Sequence, residues 1–333
     1  MTRVAVMGGG AWGTTLADLL ARKGEEVTLW AREPEVVAGI ARDHVNAVFL
    51  PGAPLSPAIR ATNEIGAAVR DAEVLVSAAP SHAVRPVMSE AAKAVAGRPL
   101  IVSVSKGLEP EQLQPLSCVL ADLFGAAAAI AVLSGPSFAE EVYRRQPTAV
   151  VAAARDEAVA RRAQQVFATA QFRVYTASDV IGVELGGALK NVIAVAAGIL
   201  EGLGLGSNTR AALITRGLAE ITRLGVALGA DPLTFAGLAG MGDLILTATG
   251  ALSRNRSLGV AIGQGRTLEE ALAGKQSVAE GVNTARAAVE LGRRHGVELP
   301  IAEQVTEILF RGKAPRRAIA DLMERDLKAE QWR

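Results

Sequence analysis

The sequence predicts an α/β domain with a doubly wound, mainly parallel sheet, followed by an all-α domain. As far as about residue 177, apolar runs of strand length alternate with helical segments. Continuous apolar strands interleaved with helices are typical of a parallel sheet that is covered on both faces. From there onward the apolar residues follow helical periodicity, and strand-like runs are almost absent. We therefore predict a first domain over residues 1–177 and a second over residues 178–333.

The chain opens with an apolar strand, Arg3–Met7, that runs directly into a GxGxxG pattern starting at Gly8. In this pattern one glycine allows a tight turn, the next lets the backbone approach a pyrophosphate, and the last lets the following helix pack on the sheet. The helix predicted over 12–23 directs its free N–H groups at the phosphates, and a second strand follows at Glu26–Trp30. This context predicts a Rossmann-type dinucleotide site. The alternative is a glycine-rich turn with only a structural role.

The residues after the second strand bear on which dinucleotide binds. NAD enzymes usually carry a carboxylate there, which accepts hydrogen bonds from the ribose 2′-OH, whereas an arginine accommodates the 2′-phosphate of NADP. Here Arg32 is the first charged side chain past the strand, and Glu33 competes with it. Because Glu33-Pro34 also looks like a helix start, with Pro34 at the first helical position, we predict that NADP(H) is preferred and that NAD(H) is possible.

The remaining elements continue this organisation. Further strands are predicted at 58–61, 74–78, 100–104, 129–133, 148–152 and 172–175. The helices predicted between them span 81–94, 113–124 and 156–168. The helices predicted in the second domain span 179–200, 209–228, 253–262, 268–273, 282–294 and 301–309. A capping box, Thr267-x-x-Glu270, marks the start of one of them.

Composition limits the classes of partner. The chain has 35 basic and 34 acidic residues, a balance that gives no electrostatic argument for nucleic acid or membrane binding. Its one cysteine, Cys118, cannot form an internal disulfide, which fits a reducing compartment. The first strand begins at Arg3 with no cationic region or cleavage site before it, so we expect no signal peptide. The longest uncharged runs are shorter than a bilayer span. We expect a soluble, cytoplasmic protein without membrane insertion.

The histidines give no indication of a metal site. His44, His82 and His295 are far apart in the sequence, and none stands at metal-ligand spacing from a cysteine or carboxylate.

Ligands of open α/β sheets bind beyond the carboxyl ends of the strands, so the residues at those ends are candidates for the site. Lys106 follows the strand predicted at 100–104 and precedes a glycine. A lysine in this position is more often a solvated loop residue. The small-residue turn LSGPSFA at 133–139 ends another strand, and its backbone N–H groups could hold an anion.

Lys190 stands in an unusual helical segment. Two adjacent glycines, Gly186 and Gly187, share its face, although each costs about 1 kcal/mol relative to alanine inside a helix. Reduction of a ketone by hydride needs such a cation, because a group that can also donate a proton stabilises the charge that develops on the oxygen. Desolvation lowers the pKa of a lysine toward neutrality, which suits acid–base chemistry. The alternative is a lysine that snorkels from a packed helix.

A third cluster follows the pattern Gly240-x-Gly242. Asp243 comes directly after it and could orient a lysine and offset its charge. In the segment Ser253-Arg254-Asn255, the arginine suits a phosphate dianion through its planar fork, and the asparagine adds neutral hydrogen bonds. A helix N-cap at Asp243 and a surface loop at 253–256 are the structural alternatives, and spacing alone does not decide between them.

Together these segments resemble the bacterial-type NAD(P)-dependent glycerol-3-phosphate dehydrogenases. The similarity spans nearly the whole chain, and the segments occur in the family's order. They are GGGAWGT (8–14), LWAR (29–32), VSKGLE (104–109), LSGPSFAEE (133–141), ELGGALKNVIAVAAGI (184–199), NTRAALITRGLAE (208–220), GMGDLILTATGALSRNR (240–256) and VAEGVNTA (278–285).

The resemblance implies an enzyme, usually dimeric, that reduces dihydroxyacetone phosphate to sn-glycerol 3-phosphate for glycerophospholipid synthesis. It implies that Lys190 is the proton donor and acceptor, that Lys106 reaches both substrate and cofactor, and that Asp243 is the carboxylate of their network. It also implies that Arg254 holds the substrate phosphate and the cofactor. The other substrate contacts that it implies are Gly135, Ser137, Thr247, Ser253 and Asn255. The other cofactor contacts that it implies are Gly8, Gly10, Ala11, Trp12, Gly13, Arg32, Ala139, Val278 and Glu280.

Two other functions stay open at this point. Another Rossmann-plus-helical dehydrogenase, such as a ketopantoate reductase or a 6-phosphogluconate type, would be distinguished by the 253–255 segment and by failure to turn over a triose phosphate. A non-catalytic NADP(H)-binding sensor could share the fold. The presence of Lys106, Lys190 and Asp243 argues against a sensor.

Overall fold

The computed structural model describes residues 1–274, 279–327 and 329–330. The strands are β1 Arg3–Met7, β2 Glu26–Trp30, β3 Val45–Asn46, β4 Leu50–Pro54, β5 Arg60–Thr62, β6 Val74–Ser77, β7 Leu100–Ser103, β8 Ile130–Ser134, β9 Thr148–Ala153 and β10 Phe172–Ala177. The helices among them are α1 Ala11–Lys23, α2 Pro34–Asp43, α3 Ile65–Val69, α4 Ser81–Ala94, α5 Leu116–Phe124, α6 Ala139–Tyr143 and α7 Glu157–Phe167.

The described residues after β10 form helices and the loops between them. Its helices are α8 Val180–Gly202, α9 Ser207–Ala227, α10 Pro232–Phe235, α11 Asp243–Thr249, α12 Arg254–Gly263, α13 Leu268–Leu272, α14 Glu280–His295, α15 Pro300–Arg311 and α16 Pro315–Met323. A π-helical turn, Leu238–Gly242, leads into α11.

The strands other than β3 and β4 form one sheet in the order β10-β9-β8-β7-β6-β1-β2-β5. All neighbours are parallel except β8 and β9, which are antiparallel. The strands β3 and β4 form a separate antiparallel hairpin. Because β1, β2, β6, β7 and β8 run in one direction, their carboxyl ends lie along a single edge, where a ligand is expected.

Both faces of the sheet are covered. Alternate residues of β1 point to opposite faces, so Val4 and Val6 join one hydrophobic core while Ala5 and Met7 join another. This arrangement buries each strand on both sides, which explains why the strands read as continuous apolar runs. The predicted fold class is therefore confirmed.

The helical half is built around α8. This helix is long and apolar enough to span a membrane, but most of it is buried inside the protein, and α9, α11, α12 and α14 pack against it. Close packing against α12 depends on glycine, because a Cβ at Gly198 would lie 2.0 Å from the carbonyl oxygen of Arg256. The hydrophobicity of α8 is thus that of a core helix.

The elements named from the sequence occur with the expected type, and their ends differ by a few residues. The helix predicted from residue 113 begins at Leu116, because Leu113 has a φ of +58° and Pro115 occupies the N-cap position. The strand predicted at 58–61 is β5, which begins at Arg60, where its pairing with β2 begins. The hairpin and the helices α3, α6, α10, α11 and α16 were not predicted.

Candidate active site

The glycine pattern forms the turn between β1 and α1. Gly8 has a φ of +139°, and a Cβ there would lie 2.7 Å from the carbonyl of Ala78. A Cβ at Gly13 would lie 2.0 Å from the carbonyl oxygen of Gly8. At Gly10, by contrast, a Cβ would meet nothing described within 4 Å, and none of the described side chains caps α1. The open space over Gly10 and the free N–H groups of α1 fit a bound pyrophosphate.

Three other residues predicted to line the cofactor, Ala11, Trp12 and Ala139, lie in α1 or against it. Ala11 begins α1. The ring of Trp12 packs against Phe172, with 6.4 Å between ring centroids. The carbonyl of Ala139 accepts a hydrogen bond from Thr15 Oγ1 at 3.2 Å, which ties α6 to α1. Val278 lies outside the described residues.

Arg32 and Glu33 pair with each other beyond the end of β2. Arg32 Nη2 lies 2.8 Å from Glu33 Oε1, and the arginine side chain is 82% exposed. Glu33 is the N-cap residue of α2, but its carboxylate binds Arg32 instead of capping the helix. Asn63 Nδ2 donates to the carbonyl of Ala31 at 2.8 Å and so holds the chain just before Arg32.

Two lysines from the two halves of the chain converge on one carboxylate. Lys106, which follows β7, donates from Nζ to Asp243 Oδ2 at 2.7 Å and to the carbonyl of Gly135 at 2.9 Å. Lys190, in the middle of α8, donates to Asp243 Oδ1 and to Thr247 Oγ1. Asp243 is almost completely buried, and the side chain of Lys190 is 6% exposed. The structure therefore brings together residues that are far apart in the sequence.

The protonation state of Lys190 is set by this environment. Burial lowers the pKa of Lys190 to about 7, and the charge of Lys106 acts in the same direction, whereas Asp243 raises it. Thr247 donates its own hydroxyl proton to the carbonyl of Asp243 at 2.7 Å, so its oxygen is left to accept from Lys190. A lysine with a pKa near neutrality can act as both an acid and a base.

The glycines before Lys190 explain how these groups come so close. A Cβ at Gly186 would lie 2.6 Å from the carbonyl oxygen of Ala239, in the π-helical turn that leads to Asp243. A Cβ at Gly187 would lie 2.8 Å from Ser134 Oγ. Because Gly186 and Gly187 have no side chains, the π-helical turn and the end of β8 can pack directly against the backbone of α8 near Lys190. Such π-helical turns occur frequently at functional sites.

Arg254 and its neighbours lie at the start of α12. The Ser253 hydroxyl accepts from the backbone N–H of Arg256 at 3.1 Å, so Ser253 is the N-cap of that helix. Arg254 is exposed and donates no hydrogen bond within the described part of the chain. Asn255 is buried and donates from Nδ2 to Asn191 Oδ1 at 2.9 Å. Because Asn191 follows Lys190 on α8, this contact holds the start of α12 beside the lysine.

The turn after β8 supplies the remaining predicted contacts. Gly135 has a φ of +135°, and its carbonyl accepts from both Lys106 Nζ and Ser137 Oγ, the latter at 2.9 Å. Ser137 and Gly135 are thus attached to the lysine network. Across the described residues, no group of three or more His, Cys, Asp or Glu side chains could hold a metal ion.

Family models match both halves of the chain. Residues 3–160 match the model described as the N-terminus of NAD-dependent glycerol-3-phosphate dehydrogenase, and residues 179–320 match the model of its C-terminus. The chain belongs to the NAD-dependent glycerol-3-phosphate dehydrogenase family. The resemblance inferred from the sequence is confirmed, and membership makes the protein an NAD(P)-dependent oxidoreductase.

Individual relatives within this family are similar over almost the whole chain. Glycerol-3-phosphate dehydrogenase [NAD(P)+] of Citrifermentans bemidjiense is 56% identical and aligns over 98% of each chain. The enzyme of the same name from Geobacter sulfurreducens is 55% identical over 99% of each. The crystal structure of glycerol-3-phosphate dehydrogenase from Coxiella burnetii superposes with a TM-score of 0.94 at 38% identity, covering 97% of this chain and 99% of that one.

Three polar residues, two in α8 and one in β3, make contacts that were not predicted from the sequence. Asn191 contacts Asn255, as described above. Glu184 accepts from the backbone N–H of Ser117 at 2.9 Å and also from its hydroxyl, and burial raises the pKa of Glu184 to about 7. The third, Asn46, contacts the glycine turn. A polar side chain inside an apolar helix could have indicated Glu184 and Asn191, whereas Asn46 carries no such signal.

One predicted cofactor residue also joins the two halves of the chain. Glu280, the first residue of α14, accepts from the backbone N–H of Ser81 at 3.1 Å and from the Ser81 hydroxyl at 2.6 Å. It also interacts electrostatically with Arg254. Glu280 therefore connects the N-terminus of α4 with the residues at the start of α12.

Proposed function

We propose that this protein reversibly reduces dihydroxyacetone phosphate to sn-glycerol 3-phosphate, with NADP(H) preferred over NAD(H). The observation that carries this proposal is the convergence of Lys106 and Lys190 on Asp243, which offers a buried proton donor beside the carboxyl ends of the strands. We also propose that it acts as a homodimer in the cytoplasm and supplies glycerophospholipid synthesis. These last points rest on family resemblance.

The residues of the glycine turn would hold the cofactor. Gly8, Gly10 and Gly13 shape the turn, and the N–H groups at Ala11 and Trp12, at the start of α1, would bind the pyrophosphate. Arg32 would bind at the adenosine end, and Lys106, Ala139, Arg254 and Glu280 would contribute from other elements. Val278, which we also propose as a cofactor contact, lies outside the described residues. The reduced nicotinamide, when bound, supplies the hydride.

Lys190 would protonate the ketone oxygen. The oxygen gains negative charge during reduction, and the buried ammonium group both stabilises that charge and transfers a proton to it. Asp243 and Thr247 orient Lys190 Nζ, and Asp243 also orients Lys106. Lys106 would contact both substrate and cofactor. In the oxidative direction, neutral Lys190 would accept the proton of the alcohol.

Arg254 would bind the phosphate of the substrate. Arg254 is exposed as a residue, and its guanidinium group makes no hydrogen bond to the described residues, so it can offer its planar fork to a dianion. Ser253 fixes the first turn of α12, and Asn255 links that turn to α8. Gly135 and Ser137, which are bonded to each other and to Lys106, would also contact the substrate. Fixed positions for both ends of a small ketone would orient it for reaction.

We also propose that the chain consists of two domains with separate roles. The sheet would form a dinucleotide-binding domain over residues 1–177, and the helices a substrate-binding domain over residues 178–333. β10 ends at Ala177 and α8 begins at Val180.

The reaction is tested by adding dihydroxyacetone phosphate to the purified protein with NADPH and recording the loss of NADPH absorbance. NADH is run in parallel. Rapid oxidation of NADPH, faster than that of NADH, is expected. If neither cofactor is oxidised although NADPH binding is demonstrated, a different ketone substrate or a sensor function would replace this proposal.

The preference for NADPH is expected to depend on Arg32. Replacing it with glutamine should raise the KM for NADPH about tenfold, equivalent to 1.4 kcal/mol, because a charged hydrogen bond to the 2′-phosphate is lost. The KM for NADH should change by less than a factor of about two, since Arg32 has no phosphate to bind there. Steady-state kinetics with both cofactors measure the ratio.

Arg42 provides a matched control for this substitution. It is also exposed and also pairs with the carboxylate of the next residue, Asp43, but it lies at the far end of α2. Arg42→Gln should leave both KM values unchanged. If Arg32→Gln changed the KM for NADPH and the KM for NADH by the same factor, Arg32 would not bind the 2′-phosphate.

A further inference from the structure

The hairpin of β3 and β4 is hydrogen-bonded to the glycine turn through a buried side-chain amide. Asn46, in β3, is 0% exposed. Its Nδ2 donates to the carbonyl of Gly9 at 2.8 Å and to Thr14 Oγ1 at 2.8 Å, and its Oδ1 accepts from the backbone N–H of Phe49 at 3.0 Å. All three hydrogen bonds are made to groups of the turn, of α1 or of the hairpin itself.

The bond to Gly9 fixes the orientation of one peptide unit. The carbonyl of Gly9 and the N–H of Gly10 belong to the same trans peptide, so they point in opposite directions. Because Asn46 and Thr14 Oγ1 both donate to the Gly9 carbonyl, the Gly10 N–H points away from the hairpin. None of the described acceptors takes that N–H, and the space over Gly10 is open. An N–H group held in this direction is available to a pyrophosphate oxygen.

This peptide needs an external restraint. A Cβ at Gly9 would lie 2.5 Å from Ala31 Cβ, so the packing of the turn against the chain after β2 excludes a side chain there. Three consecutive glycines have the widest conformational freedom of any sequence, and the Gly9–Gly10 peptide could rotate at little steric cost. The side chain of Asn46 supplies the restraint that the glycines cannot.

We propose that Asn46 is a positioning residue for the cofactor, which holds the Gly9–Gly10 peptide with its N–H toward the pyrophosphate. The inference rests on the dinucleotide part of the proposed function and is independent of the ketone that is reduced. It assigns to the hairpin, which carries no other predicted site residue, a role in cofactor affinity.

Replacement of Asn46 with leucine tests the proposal, because leucine keeps the volume and removes every hydrogen bond. The dissociation constant for NADPH, measured by fluorescence titration without ketone, should rise about tenfold. In turnover, the KM for NADPH should rise in parallel, whereas kcat at saturating NADPH should stay within a factor of about two. An unchanged dissociation constant with a lowered melting temperature would show that Asn46 only stabilises the hairpin.

Thr14→Val provides a second, milder variant that lies outside the hairpin and leaves the Asn46 side chain in place. It removes the hydroxyl that donates to the Gly9 carbonyl and accepts from Asn46, so the dissociation constant for NADPH should rise about threefold. If both residues act on the same peptide, the double variant should show less than the sum of the two single effects. Additive effects would contradict a shared restraint.

Gln164→Leu serves as the control for a general loss of stability. Gln164 also uses a side-chain amide to bind a backbone carbonyl, that of Val174 at 2.7 Å, but this bond joins α7 to β10 and does not involve the glycine turn or the hairpin. It should lower the melting temperature without changing the affinity for NADPH. Because binding is measured without ketone, a protein that binds NADPH but reduces no dihydroxyacetone phosphate would still test the role of Asn46.

Discussion

Replacing Lys190 with methionine should lower kcat for ketone reduction by about 10²- to 10⁴-fold, the usual contribution of a positioned general acid. Methionine keeps most of the aliphatic volume in the core of α8 but cannot donate a proton. The affinity for NADPH should be nearly unchanged, because Lys190 contacts Asp243 and Thr247 and not the glycine turn. Steady-state kinetics combined with an NADPH titration separate the two effects.

Lys190 should also determine the pH dependence of the reaction. Reduction requires its protonated form, and its pKa is lowered to about 7, so kcat for reduction should fall as the pH rises through about 7. Oxidation of glycerol 3-phosphate requires the neutral amine, so its kcat should rise over the same range. Both limbs should be absent from the residual activity of Lys190→Met. Lys93→Met is the control, because Lys93 is an exposed lysine paired with Glu90, and this variant should have the kcat and pH dependence of the parent. If Lys190→Met reduced the ketone at the parental rate, the proposed role of Lys190 would be wrong.

Replacing Asp243 with asparagine should lower kcat at pH 7 by about 10²-fold or more. The carboxylate is the group that both lysines share, and it raises the pKa of Lys190 against the effects of burial and of Lys106. Without it, the pKa of Lys190 should fall further and Lys106 should lose its ion pair. Because less of Lys190 is then protonated at pH 7, part of the lost activity should return as the pH is lowered.

The measurement is the kcat–pH profile of the Asp243→Asn variant in the direction of reduction, with its melting temperature. Asp321→Asn is the matched control, since Asp321 also lies between two cations, Lys313 and Arg317, but far along the chain in α16. It should leave the profile unchanged. A profile for Asp243→Asn that superimposes on that of the parent would exclude the carboxylate from the proton chemistry.

The sheet and the main helices could be predicted from sequence because their signals are local. β1 and β2 are continuous apolar runs with glycines or turn residues at their ends, and both were predicted with the bounds that the structure has. The helix α11 was missed, because Gly240-x-Gly242 and the π-helical turn interrupt the helical pattern just before it. The hairpin of β3 and β4 was missed, because a two-residue strand with a bulge has no periodicity to detect.

The site could be predicted only in part, because most of its contacts join segments that are far apart in the sequence. Lys190 and its neighbouring glycines form an unusual local pattern, and the family resemblance supplied the roles of Lys106, Asp243 and Arg254. No local pattern predicts that Lys106 and Lys190 share one carboxylate, since the contact joins the end of a strand, a core helix and a π-helical turn. The contacts of Asn46 and Glu184 were missed because they also depend on packing between distant segments.

The carboxylates of Glu184 and Glu280 have a consequence for how the chain folds. Proline occupies the N-cap positions of α4 and α5, and its side chain has no acceptor for the free N–H groups there. The acceptors come instead from α8 and α14, in the other half of the molecule. Since a helix cap contributes about 0.5–2 kcal/mol, a fragment that stops after β10 would lose stability in its own helices as well as the catalytic lysine. We therefore expect the two halves to stabilise each other, since the first turns of α4 and α5 gain these acceptors only when the helical half packs against the sheet.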